Sequence, residues 1–251
     1  WRAIFLTTDS NGSPTGAKEI AKTITKVVFE EGAATSGTAG MFYGWTALRE
    51  ADLSKLSTSS ATDMWCMFKG CTKLETVDLS GLNTTSVTYM DEMFNGCQSL
   101  QALNVSNFDT SKVTTMKSMF ANCSSLKTLD LSSFNTQKCS NFSYMFNGCS
   151  QLTTITVGEN WTTTNQKNWS QMFQNCTNLV GGNGTTYVAN KGKEYAIIDG
   201  TDGKPGFLTG SSQVHTHSFS YTAEGAAIKA TCSATTGTCG LTGKTVTLTL
   251  K

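Results

Sequence analysis

The chain has 251 residues, 19 basic and 18 acidic side chains and a formal net charge of +1. Charged residues make up 15% of it, against about 25% in an ordinary soluble domain. No run of five or more basic residues occurs, which excludes the footprint of a nucleic-acid or anionic-membrane binder. No apolar stretch approaches the ~18 residues of a membrane-spanning helix. Ser, Thr, Asn and Gly supply the polar surface instead, a profile that suits extracellular β-rich proteins. The ends at Trp1 and Lys251 are expected to be cut points in a longer protein.

Residues 1–40 are expected to form an N-terminal β cap. From residue 41 a short pattern recurs: Met-Phe, then Cys or Trp three residues on, then Leu three further. It begins at Met41, Met67, Met93, Met119, Met145 and Met172. The spacing is 26 residues, lengthening to 27 at the last step. A fixed period of that size marks a stacked solenoid and falls in the leucine-rich-repeat range. Residues 41–180 are therefore read as the repeat array.

One half of each repeat reads Leu126-Lys127-Thr128-Leu129-Asp130-Leu131-Ser132-Ser133-Phe134. Leu129 and Leu131 alternate with polar neighbours, the period of a half-buried strand. The other half reads Val87-Thr88-Tyr89-Met90-Asp91-Glu92-Met93-Phe94. Its apolar positions fall at i, i+3, i+6 and i+7, which predicts about two helical turns. The expected fold is an α/β solenoid: a curved leucine-rich-repeat stack of about six 26-residue coils with parallel strands on the concave face. All nine methionines belong to this array, and their strict period assigns them to the core rather than to a metal site.

The run Met119-Phe120-x-x-Cys123-x-x-Leu126-x-x-Leu129-Asp130-Leu131-Ser132-x-Phe134-x-Thr136 resembles the BspA-like leucine-rich repeat family of bacterial surface proteins. The same repeat is known as a domain of unknown function in mycoplasmas and gut bacteria. Ile24 to Phe29 resembles the strand that opens such arrays. Gly181 to Tyr187, Ala196 to Asp199 and Pro205 to Phe207 resemble their closing segment, so residues 181–212 are expected to cap the solenoid. The resemblance implies secreted or cell-wall-attached adhesion proteins, no enzymatic activity and no cofactor. Cys139 departs from the pattern by replacing Val, and Phe142 by replacing Met.

Cys71, Cys97, Cys123, Cys149 and Cys176 occupy one repeat position. Parallel side-chain directions disfavour bridges between them, so they are read as small buried hydrophobes. Cys139 is read likewise, whereas Cys66 has no role in the pattern. Cys232 and Cys239 lie in residues 213–251, read as a small all-β module, where a disulfide across a connecting loop would suit an extracellular chain. His215 and His217 make a tetrahedral zinc set the competing reading there; the expectation is no metal.

Catalysis has little to stand on. The array contains no His, and the chain shows no phosphate loop and no HExxH. Asp52, Asp78 and Asp130 share one outward strand column with Asn104 and Thr156, and two acids one coil apart would sit at glycosidase-like separation. Repeated polar residues on a strand are more often solvated, and a carbohydrate-active enzyme is a distant alternative. The same columns, with Thr76 and Thr128, give a polar strip suited to an extracellular protein or glycan ligand. Exposed aromatics for a sugar would come from Trp161, Trp169 or Tyr144. No nucleic-acid partner is expected, and attachment to membrane or cell wall would use segments outside this chain. The reading is a non-catalytic surface adhesion protein; the alternative is a structural spacer.

Overall fold

The computed structural model describes residues 22–165 and 167–211, and the backbone of strands between 219 and 249. Residues 24–211 wind into a parallel-strand β-solenoid of about five turns. Strands β1 (Lys26–Val28), β2 (Glu50–Asp52) and β3 (Thr76–Asp78) pair in parallel, with Lys26, Glu50 and Thr76 in one rank. Strand β4 (Thr128–Leu131) pairs with β5 (Thr154–Val157), which pairs with β6 (Thr209–Gly210). The row is interrupted at 101–105, where no strand forms. Leu129 and Leu131 point inward from β4 while Thr128 and Asp130 face solvent, as a two-residue period requires.

The second half of each coil is not helical, which corrects the α/β expectation. An α-helix would send every N–H to the carbonyl four residues back. Here alternate N–H groups leave the coil. Those of Met64, Cys66, Phe68 and Gly70 donate to the carbonyls of Tyr89, Asp91, Met93 and Asn95 on the next coil, at 2.7–3.0 Å. The intervening Met67, Lys69 and Cys71 close tight turns onto residues three back. Left-handed φ at Cys66 (55°) and Gly70 (76°) separates these turns. Val87, Met90, Met93 and Phe94 are all fully buried, so the i, i+3, i+6, i+7 spacing reported an inward face correctly. It arose from consecutive turns, not from a helix. The helical segments among the described residues are short 3-10 turns such as Lys193–Tyr195 and Thr201–Gly203.

The core is built in columns. Phe42, Phe68, Phe94, Phe120, Phe146 and Phe173 stack with centroids 5.0–5.9 Å apart and planes within 18° of parallel. Burying each such ring stabilises the fold by about 2–3 kcal/mol, and the offset stacking adds to that. Phe207 ends the column edge-on, 5.3 Å from Phe173. Thr58, Thr84, Thr110 and Thr136 form a buried hydroxyl column, each donating to a carbonyl of the following coil.

The closing segment is held by Asp199, which is 2% exposed. Its carboxylate accepts the N–H groups of Asn183, Thr185 and Gly206 and the Thr185 hydroxyl, at 2.6–3.1 Å. Three further strands, β7 (Phe219–Glu224), β8 (Ala227–Cys232) and β9 (Thr245–Thr249), pair antiparallel in that order. Cys239, His215, His217 and the side chain of Cys232, and with them the expected bridge, lie outside the described residues.

Candidate functional site

Two surfaces gather polar and aromatic groups. The first is the strand face. Thr76, Asp78, Asn104, Thr128 and Asp130 are exposed there, while Asp52 is partly buried. Asp52 and Asp78 stand opposite each other in register. Their carboxylates, however, are engaged locally. The Oδ1 atoms of Asp52, Asp78, Asn104 and Asp130 accept the N–H groups of Ser54, Ser80, Ser106 and Ser132 at 2.9–3.0 Å. This two-residue closure is an Asx turn, and it recurs at the same place in four successive coils.

Hydrogen bonds from Ser54 hold the Asp52 carboxyl below the usual carboxylate range. A general acid must carry a proton near neutral pH, so the shift runs against that role. Burial raises the carboxyl of Asp91, but that group accepts the Thr115 hydroxyl and the Lys117 N–H of the next coil. Among the described residues no three His, Cys, Asp or Glu side chains converge as metal ligands. Glu50 pairs with Lys26 at 2.7 Å, and Glu75 with Arg49. Thr76 and Thr128 remain open, flat and in register with their neighbours.

The second surface surrounds Trp169, where the array meets its closing segment. Asn168 pairs with Asn141 of the preceding coil, so Trp169 follows the column of Met64, Met90, Met116 and Phe142. Those four are fully buried, yet Trp169 is 36% exposed. Trp161 covers the core at that end. Its ring lies 5.7 Å from Phe142, and its Nε1 donates to the Ala196 carbonyl at 3.1 Å. Of the three aromatics expected to face a sugar, packing claims Trp161, Tyr144 is partly buried and Trp169 stays partly exposed.

Trp169 borders two adjoining cavities of about 290 and 440 Å³. Ser170, Gln171, Gln174, Asn190, Lys191, Gly192 and Glu194 complete the first; Thr163, Lys193, Glu194, Ile197 and Lys204 complete the second. Gly192 lets the backbone close on the indole. A Cβ there would stand 3.0 Å from Cδ1 and 3.3 Å from Nε1 of Trp169. The Lys193 ammonium lies 5.3 Å from the ring centroid, within cation–π range. The closing-segment half of this groove carries no repeat signal, so periodicity could not find it.

Comparison with curated proteins and with solved structures gives no match. A family model does match, over residues 34–104 and again over 75–187. Together these cover more than half of the chain, in the region where the Met-Phe columns stack. The chain belongs to the family described as Mycoplasma protein of unknown function, DUF285.

Proposed function

We propose that the chain is a non-catalytic binding module displayed outside the cell, on a bacterial surface or after secretion. The observation that carries this reading is the strand face. Its columns are polar, solvent-facing and locked in register, and its carboxylates are tied into turns rather than gathered around a cleft. Such a surface suits a protein or glycan partner that touches several coils at once. The leucine-rich motif and the resemblance to BspA-like surface proteins support the same reading, with strands β7–β9 as a small accessory β module.

Immobilised matrix proteins and mucin, probed with this chain, test the reading. Removing Asp78 or Asp130 would disturb the turns they close. Thr76→Lys with Thr128→Lys instead adds bulk and charge on the open face. Saturable binding that this pair weakens at least tenfold, with unchanged melting, supports the strand face as the contact surface. Absence of any binding by the folded chain would replace the reading with that of a spacer.

A further inference from the structure

We infer that the groove at Trp169 is a carbohydrate subsite that takes an uncharged pyranose ring, an inference that rests on the binding-module reading. Four coils bury the residue at this column completely, and the fifth exposes the largest side chain available. Trp161 fills the gap in the core, and Trp169 stays partly exposed beside Gly192 and Lys193. Its exposure costs hydrophobic stabilisation that burial would have supplied. The ring is also held in place, by the Gly192 backbone that closes on it and by Lys193 lying over it. Rigid aromatic surface binds with little loss of conformational freedom.

Lys193 lies over the indole, and the ring surface left exposed attracts the weakly positive C–H groups along one face of a sugar ring. Around it, Ser170, Gln171, Gln174, Asn190 and Glu194 offer donors and acceptors for hydroxyls. This mixture of one apolar platform and a few polar groups is the usual make-up of a small-molecule site. The 290 Å³ cavity has room for a single ring, with the second cavity beside it for a linked residue. The Glu194 carboxylate borders both spaces and disfavours a ligand that carries its own carboxylate. In the first cavity that carboxylate balances the one ammonium, Lys191, so the lining there carries no net charge; Lys193 and Lys204 border the second.

Saturation-transfer NMR on the whole chain tests the subsite, with the methyl glycosides of galactose, mannose and N-acetylglucosamine as probes and glucuronate as the charged control. A single ring should bind with a dissociation constant of about 1 mM or weaker. Saturable transfer from at least one neutral glycoside, lost at least tenfold in Trp169→Ala and weakened in Gln174→Ala at unchanged melting temperature, supports the subsite. Transfer that survives in Trp169→Ala, transfer only to glucuronate, or none to any probe overturns it. Mucin or matrix binding that persists in Trp169→Ala but falls in the Thr76→Lys, Thr128→Lys variant would sink the subsite while leaving the binding-module reading intact.

Discussion

Cys97 donates its thiol hydrogen to the carbonyl oxygen of Phe68, one coil back, across 3.3 Å. The same oxygen already accepts the N–H of Cys71 at 3.1 Å, so both of its lone pairs are used. The arrangement repeats from Cys71 on Phe42 to Cys176 on Phe146, at 3.0–3.3 Å. The cysteine column therefore does more than fill space. A thiol is the smallest apolar side chain that still carries a donor, and it links neighbouring coils where the backbone ladder cannot.

Burial pushes these thiols up, Cys71 and Cys149 to about 12 and Cys97, Cys123 and Cys176 well above their ordinary value. The thiolate is the reactive form, so at pH 8 almost none is present in the folded chain. Iodoacetamide labelling read by peptide mass spectrometry should leave all five unmodified in native protein and modify all five in denaturant. Rapid native labelling at Cys97 would show that the column is open to solvent.

Thr110 joins coils in the same manner. Its buried hydroxyl donates to the Asn135 carbonyl at 3.0 Å and accepts the Asn135 N–H at 2.8 Å. Valine matches threonine in shape but would leave both backbone groups without a partner. Thr110→Val should cost about 2–3 kcal/mol. Thr110→Ser keeps the hydroxyl and should cost less than about 1 kcal/mol. Urea denaturation midpoints compare the two; equal midpoints would mean that the hydroxyl contributes nothing.

The columns were legible because they repeat. Leu129 and Leu131, the Met-Phe pairs and the inward cysteines all follow from a 26-residue period. The helix was misread because inward spacing of three and four residues is shared by helices and by consecutive tight turns. Gly44, Gly70, Gly96 and Gly148, with Asn122 and Asn175 completing the column, mark a left-handed turn two residues past each Met-Phe pair. Gly and Asn enter that region most readily, but just past an expected helix the same residues read as its C-cap, so the signal did not separate the two. The neighbouring left-handed column of Cys66, Glu92, Ser118, Tyr144 and Gln171 left no such trace, because none of these residues favours that conformation. The Asx role of Asp52, Asp78 and Asp130 was equally hidden. Outward placement at a strand end looks the same whether a carboxylate meets a ligand or the N–H two residues on. Exposure of Trp169 depends on Trp161 and on residues 190–194, which have no counterpart in other coils.

Gly96 offers a direct test of that left-handed column. Its φ is 81°, and a Cβ would make only ordinary contact with Gly70, at 3.6 Å. The cost of substitution is therefore set by backbone conformation. Asn122 and Asn175 occupy the column natively, so Gly96→Asn should cost less than about 1 kcal/mol. Gly96→Val places a β-branched residue where it is a strong outlier and should cost about 2–3 kcal/mol. Thermal melting of both variants decides the matter. A valine variant as stable as the asparagine variant would show that the turn is free to change conformation.

Asp199 makes the closing segment sensitive to acid. Burial alone would raise its carboxyl, but bonds from the Thr185 hydroxyl and from the N–H groups of Thr185, Gly206 and Asn183 outweigh burial and hold it below the usual range. A carboxyl depressed in the folded state contributes stability above its unfolded value of 3.8, and that contribution is lost as pH falls through the lower folded value. Asp199→Asn removes the charge and turns an amide donor toward N–H groups that need an acceptor. At pH 7 it should destabilise the chain by about 2–4 kcal/mol. The gap in melting temperature between native and variant protein should then narrow from pH 5 toward pH 2, as the native carboxylate takes up its proton. A gap that stayed constant, or widened in acid, would mean that the carboxylate charge is not what ties residues 183–206 together.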